Sequence, residues 1–206
     1  MISVKLKLEP PTFDGRVRKP GTAFLALRPN PISSKQWKSH SYWRRILPEL
    51  HQQYDGICAY SCEFIPLVTG DDTVEHFLPK AQRPDRAYEW DNYRLVCLRM
   101  NGRKGTHQVL DPFVIRGGWF VLDFPSLQIR PDVASVPLAL LTVADQTITT
   151  LDLNGEASIK SRERWVKDYC AQDISEPYLC RNAPFIYMEL RRQGLLYTIG
   201  QIMQFP

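Results

Sequence analysis

The apolar positions near the start of the chain change from an irregular to a helical pattern. Residues 1–34 are rich in proline and show no sustained period, so they predict an irregular segment. From Ser33 to Tyr54, large apolar residues recur three or four positions apart, which is typical of an amphipathic helix. Either Ser33 or Ser34 can cap this helix, and Pro48 is expected to bend or divide it.

The next part of the chain has a different pattern, with short apolar runs between turn signals. TVEHFL at residues 73–78 and NYRLVCL at residues 92–98 predict two strands separated by a polar loop. RMNGRK at residues 99–104 predicts a short helix that ends at Gly105. The predicted local order is therefore strand, loop, strand, helix.

The second half of the chain moves from strand patterns to helical ones. VLDPFVI at residues 109–115 and GGWFVLDF at residues 117–124 predict strands, and the helical period begins at about Val143. SRERWVKDY at residues 161–169 is amphipathic, and a further helical stretch is interrupted at Pro184. The fold class that follows is α+β, with a mostly helical C-terminal region.

Composition and charge narrow the class of protein. The chain has 206 residues, of which 44% are hydrophobic and 23% charged, which is typical of a soluble globular protein. We see neither a membrane-spanning apolar run nor a signal peptide, so a cytoplasmic protein without membrane contact is expected. Residues 1–116 contain 18 Lys and Arg against 12 Asp and Glu, which favours a polyanionic partner for the first half.

The candidate catalytic and metal-binding residues lie on the predicted strands and helix. Glu75 and His76 are adjacent on the first strand, Asn92 opens the second strand, and Asn101 and Lys104 lie three residues apart on the helix. A histidine with a pKa near 6.5 takes a proton from water at neutral pH, and carboxylate and amide oxygens suit Mg²⁺ or Mn²⁺. Neighbours on a regular strand face opposite sides, so the pair shares a site only where the strand twists or ends.

This ordered set resembles the HNH, or ββα-metal, endonuclease family, and the resemblance covers about 50 residues. It implies a ββα-metal core that hydrolyses phosphodiester bonds with one divalent ion. In that scheme His76 is the general base, and Glu75 and Asn101 are the metal ligands. Asn92 and Lys104 are the other catalytic residues: Asn92 orients the loop, and sometimes the base, through hydrogen bonds to backbone, and Lys104 reaches a phosphate. Bound metal neutralises charge that develops on the phosphate and leaving oxygen.

Further positive side chains near the motif are candidates for phosphate contacts. Arg94, Arg99 and Arg103 are expected to bind nucleic acid together with Lys104, and a solvated surface is the alternative for each arginine. His107 follows the helix and is either an additional metal ligand or a surface histidine. DNA is favoured over RNA as the partner, although the residues do not discriminate between them.

The cysteines raise the question of a structural zinc ion. The chain has five, an odd number without a disulfide pattern, and Cys58, Cys62 and Cys97 lie near the motif. Many HNH proteins hold zinc with two Cys-x-x-Cys pairs, but the position that would complete the second pair is Met100. Three small core residues are the alternative, and a structural zinc is disfavoured.

The resemblance also suggests a domain organisation. Residues 1–54 would form an N-terminal extension with a helix, residues 55–107 the HNH core, and residues 108–206 an α+β to helical region packed on the core. The segment from Ile148 to Tyr169 is similar to tails of small HNH subunits of Septu-type and retron-associated anti-phage systems. That similarity implies a defence nuclease with an ATPase partner.

Two alternatives to an independently active endonuclease stay open. A catalytically silent nucleic-acid-binding module would keep the ββα shape, but it would have no reason to retain Glu75, His76 and Asn101. A nuclease that needs a partner subunit is favoured only by the large C-terminal region.

Overall fold

A computed structural model describes residues 1–27 and 31–203 of the chain. It is a mixed α+β structure with two small antiparallel sheets, in agreement with the predicted class. The chain divides into two compact units. The first unit comprises Lys5–Ile57 and Ile65–Thr106, and the second comprises Met1–Val4, Cys58–Phe64 and His107–Pro206.

The irregular segment expected for residues 1–34 is confirmed for residues 1–10 and wrong for residues 14–26, which are helical. A π-helical turn at Asp14–Arg18 runs directly into helix α1, Lys19–Ala26. Pro20 lies in the first turn of α1. Gly21 lies against the ring of Tyr88, and a Cβ atom built there would come within 2.1 Å of that ring. Tertiary packing therefore stabilises a helix whose sequence does not favour one.

The predicted helix from Ser33 to Tyr54 is three short elements. Helix α2 is Ser34–Ser39, a 3₁₀ turn is Tyr42–Ile46, and helix α3 is Leu47–Gln53. Ser33 caps α2 as predicted, through a capping box in which it exchanges hydrogen bonds with the residue at the third helical position. Pro48 divides the segment because it occupies the first turn of α3.

The predicted strand, loop, strand and helix are all present in the first unit. Strand β1 is Asp72–His76, strand β2 is Tyr93–Cys97, and helix α4 is Leu98–Lys104. The two strands are antiparallel, and in their register Glu75 lies opposite Arg94. Gly105 ends α4 with a φ of +48°, a conformation that glycine adopts without a steric penalty.

The second unit contains the other sheet and the remaining helices. Strands β3, Phe120–Asp123, and β4, Gln128–Pro131, form an antiparallel hairpin. The helices are α5 (Leu138–Thr150), α6 (Glu156–Cys170), α7 (Glu176–Asn182), α8 (Pro184–Arg192) and α9 (Ile199–Met203).

One predicted strand of the second unit is wrong. Residues 109–115 form turns, because Pro112 has no N–H for a sheet and the Asp111 carboxylate accepts from the N–H of Phe113. The pattern also missed β4, in which Ile129 is the only buried residue. The strand expected at residues 117–124, the amphipathic helix at residues 161–169 and the interruption at Pro184 are confirmed.

The division into units differs from the expected domains. No boundary separates residues 1–54 from the strands, since Lys5–Ile57 and Ile65–Thr106 form one unit. The C-terminal region forms its own unit from His107 onward, together with two short earlier segments. Across the described residues, no helix combines the length and apolar character needed to cross a membrane.

Candidate functional site

A cavity of about 760 Å³ lies within the first unit, along strand β1. All five residues of β1 line it, together with Leu98 and Asn101 of α4. In the described part of the chain β2 is the only strand that pairs with β1. Because β1 ends at His76, both members of the Glu75–His76 pair reach the same cavity despite their alternation along the strand.

Glu75, which lines this cavity, forms a buried ion pair with Lys104. The Lys104 ammonium donates to Oε1 of Glu75 at 2.5 Å, and to the carbonyl oxygens of His76 at 2.9 Å and Phe77 at 2.7 Å. Both residues are 1% exposed. Lys104 therefore fixes the end of β1, and this environment does not fit the expectation that it reaches a phosphate.

His76 is 6% exposed and is held by a single hydrogen bond to the backbone. Its Nε2 lies 3.0 Å from the carbonyl oxygen of Ala87, which can only accept, so Nε2 carries the proton of the neutral ring. Burial, with the positive charges of Lys80 and Lys104, lowers the pKa of His76 to about 3. The imidazole is thus neutral at physiological pH, with its lone pair on Nδ1.

Aromatic rings hold the imidazole from two sides. Trp43 contacts it edge-on at 4.7 Å between ring centroids, and Tyr93 does so at 5.2 Å. The Tyr93 hydroxyl donates to the same Ala87 carbonyl as His76 does, at 2.9 Å. This packing leaves the histidine one orientation in the cavity wall.

Asn92 joins the two ends of the loop between the strands. Its Oδ1 accepts from the N–H of Leu78 at 2.7 Å, and its Nδ2 donates to the carbonyls of Leu78 at 3.1 Å and Arg86 at 2.9 Å. These are backbone hydrogen bonds of the kind expected for this position. The asparagine is 3% exposed and does not line the cavity, so it positions the loop and does not contact a ligand there.

Asn101 lines the cavity, and its amide orientation follows from Thr73. The Thr73 hydroxyl donates to the carbonyl of Val96 at 2.8 Å, so it must accept from Nδ2 of Asn101, which lies 2.9 Å away. The amide oxygen of Asn101 is consequently turned away from Thr73. It is a hard oxygen donor on the same cavity as the Glu75 carboxylate.

The three predicted phosphate-contacting arginines occupy different environments. Arg94 is 3% exposed, donates to the carbonyls of Asp91 and Tyr93, and stacks over the ring of Phe77. It therefore braces the sheet, which does not fit a surface contact with phosphate. Arg99 is exposed on α4, and Arg103 is partly exposed.

The structure adds basic and aromatic residues to the site that the sequence motif did not reveal. Lys38, Arg44 and Lys80 line the cavity, as do Trp37 and Trp43. Lys80 follows β1 closely, after Pro79, and this proximity to His76 is the one sequence signal that could have identified it. The others come from α2 and the 3₁₀ turn, whose approach to β1 depends on tertiary packing.

The three cysteines considered for a structural zinc are divided between the two units. Cys58 and Cys62 are buried in the second unit, whereas Cys97 belongs to the first. Within residues 1–27 and 31–203, no group of three or more His, Cys, Asp or Glu side chains is placed to hold a metal ion. His107 is exposed and belongs to the second unit.

A single hard divalent cation fits the chemistry of the cavity better than zinc does. Glu75 and Asn101 supply carboxylate and amide oxygens, and Asp72 also lines the cavity. An ionised carboxylate has about four lone-pair sites, so one hydrogen bond from an ammonium does not by itself prevent metal binding. Few protein ligands leave positions for water and a phosphate oxygen.

No protein-family model and no curated protein sequence matches this chain.

Proposed function

We propose that this protein is a metal-dependent endonuclease of the HNH, or ββα-metal, type, which hydrolyses phosphodiester bonds in nucleic acid. The observation that carries the proposal is the meeting of Glu75, His76 and Asn101 on one cavity with three positive side chains. A neutral imidazole, hard oxygen ligands and a basic wall are the groups that phosphodiester hydrolysis requires.

His76 is the general base in this proposal. Its Nε2–H is committed to Ala87, and within the described residues Nδ1 makes no hydrogen bond. Nδ1 is therefore the atom that accepts the proton of the attacking water. The positive charge of Lys80 lowers the proton affinity of the His76 ring. We expect the negative charge of a bound phosphodiester to offset this effect and so to raise the proton affinity of the ring during the reaction.

Glu75 and Asn101 would hold the divalent ion, which supplies electrostatic stabilisation to the phosphate when bound. Lys104 and Asn92 act indirectly in this scheme. Lys104 holds the carboxylate of Glu75 and the end of β1, and Asn92 holds the loop that carries the Ala87 carbonyl. Both are positioning residues, and an ATPase partner and a role in anti-phage defence stay predictions from the sequence.

Cleavage assays with matched histidine variants test this proposal. Protein stripped with EDTA should be inactive on single-stranded DNA, duplex DNA and RNA, and Mg²⁺ or Mn²⁺ should restore cleavage of at least one. His76→Ala should lower the rate by about 10²–10⁴-fold, while His107→Ala, an exposed control, should not. Cleavage that resists EDTA, or a folded His76→Ala protein that cuts at the wild-type rate, would refute the proposal.

A further inference from the structure

Lys104 is the cation that the sequence motif offers for binding phosphate, and all its hydrogen-bond donors are engaged inside the protein. An ammonium group has three N–H donors. Those of Lys104 go to Glu75, to the carbonyl of His76 and to the carbonyl of Phe77. No donor is left for a ligand, so another cation must contact a phosphate beside His76.

We propose that Lys80 is this cation and that it binds a non-bridging oxygen of the phosphate group attacked at His76; the assignment rests on the nuclease function proposed above. Lys80 lines the cavity and is only partly exposed. In the part of the chain that the structure describes it forms no ion pair. A partly buried ammonium without a counter-ion is stabilised by an entering anion.

Trp43 places Lys80 and the proposed base on the same wall. The Lys80 ammonium lies over the indole at 5.4 Å from the ring centroid, and the His76 ring packs perpendicular to the same residue at 4.7 Å between centroids. Lys80 and His76 therefore share a neighbour that limits how far they can move apart. Pro79 restricts the backbone immediately before Lys80, so the side chain starts from a fixed point.

The electrostatics of the cavity agree with this placement. Burial lowers the pKa of Lys80, while the Glu75 carboxylate raises it, and the charge of Lys80 is felt at His76. Its charge therefore acts at the proposed reaction centre. Lys38 and Arg44 are exposed side chains that also line the cavity, where they can contact neighbouring phosphates of the same strand.

The test compares Lys80→Met with Lys35→Met. Methionine keeps most of the aliphatic stem without the charge, and Lys35 is an exposed lysine of α2 that does not line the cavity. Binding of a short single-stranded DNA oligonucleotide is measured with Ca²⁺ in place of Mg²⁺, at several salt concentrations. Cleavage is measured in Mg²⁺, and circular dichroism checks that each variant is folded.

We expect Lys80→Met to weaken oligonucleotide binding by about 10- to 100-fold and to flatten the log–log salt dependence by about 0.7. Lys35→Met should change neither quantity, and Lys80→Arg should recover part of the affinity. Wild-type affinity and salt slope in a folded Lys80→Met protein would overturn the assignment. If the wild type binds the oligonucleotide but cleaves nothing, the nuclease proposal fails, and the binding data still decide whether Lys80 contacts phosphate. If the wild type neither binds nor cleaves, both proposals fail.

Discussion

Replacing Glu75 with alanine isolates the energetic role of the buried ion pair. The Lys104 ammonium is 1% exposed, and among the described residues Glu75 is the one carboxylate that accepts from it. Alanine would leave a buried positive charge with two carbonyl oxygens and no counter-ion. Breaking a buried pair from one side typically costs about 3–5 kcal/mol of unfolding free energy, because the remaining charge is desolvated without compensation.

The structure also ranks the related variants. Glu75→Gln keeps an acceptor for Lys104 but removes the negative charge, so it should cost less than alanine does. The double variant Glu75→Leu/Lys104→Met removes both charges and fills similar volume. Since apolar replacements of buried pairs are often neutral, it should be more stable than Glu75→Ala.

Urea unfolding in EDTA measures these differences without a contribution from bound metal. Because the chain has two compact units, amide hydrogen exchange of β1 and β2 should be followed as a report on the first unit alone. Asp85→Ala is the matched control in the same unit. Its ion pair with Arg83 has both side chains more than half exposed, so its loss should cost at most about 1 kcal/mol.

A Glu75→Ala protein as stable as Asp85→Ala would refute this reasoning. The expected instability also affects the reading of activity data. Loss of cleavage in Glu75→Ala can be assigned to metal binding only when the variant is shown to be folded, and Glu75→Gln is the safer test of the carboxylate.

Four further predictions address acid stability, charge, substrate form and the second unit. Burial lowers the pKa of His76 to about 3, from about 6.5 in an unfolded chain, so unfolding binds a proton below pH 6.5. As the pH is lowered from 7 to 5, the free energy of unfolding should fall by about 2 kcal/mol from His76 alone. Urea titrations should show that His76→Gln loses this pH dependence and that the control His107→Gln keeps it. Arg99 is exposed on α4, and Arg99→Ala should lower the log–log slope of oligonucleotide binding against salt by about 0.7–0.9. Arg164→Ala, at an exposed residue of the second unit, should leave this slope unchanged. Equal slopes for Arg99→Ala and wild type would exclude a phosphate contact by Arg99. Because Glu75 and His76 are buried, a single-stranded substrate should be cleaved at least about tenfold faster than the same sequence in a duplex. Equal rates would show that the cavity is wider during the reaction than it is in this structure. Arg162→Ala should destabilise the second unit by about 1–3 kcal/mol, because the buried guanidinium donates to the carbonyls of Leu127 at 2.8 Å and Leu153 at 2.7 Å. An unchanged melting temperature would contradict this prediction.

Local pattern was sufficient for β1, β2 and α4, because their apolar residues lie within the elements and their turn signals and terminal glycine lie directly beside them. It failed for α1, where Pro20 and Gly21 argue against a helix. The close packing of Gly21 against Tyr88 overrides that local preference and involves residues far apart in the sequence.

The site was predictable to the same extent. Glu75, His76 and Asn101 were singled out from the order of the motif along the chain, and all three line one cavity, while their roles stay predictions. Lys104 was expected to reach a phosphate, yet it is buried, because it follows the buried Met100 by one helical turn and shares its face. That spacing was visible in the sequence, whereas the arrival of Trp43 beside His76 was not.

The interleaving of the two units along the chain has a consequence for dissecting the protein. All the residues that line the cavity fall between Ser34 and Thr106, which invites expression of a shortened gene ending there. Such a product would retain the segment Cys58–Phe64, whose buried residues belong to the unit that had been deleted. Its newly uncovered Cys58, Tyr60 and Cys62 would promote aggregation and oxidation. A usable minimal version therefore needs that segment replaced by a short polar connector between Ile57 and Ile65.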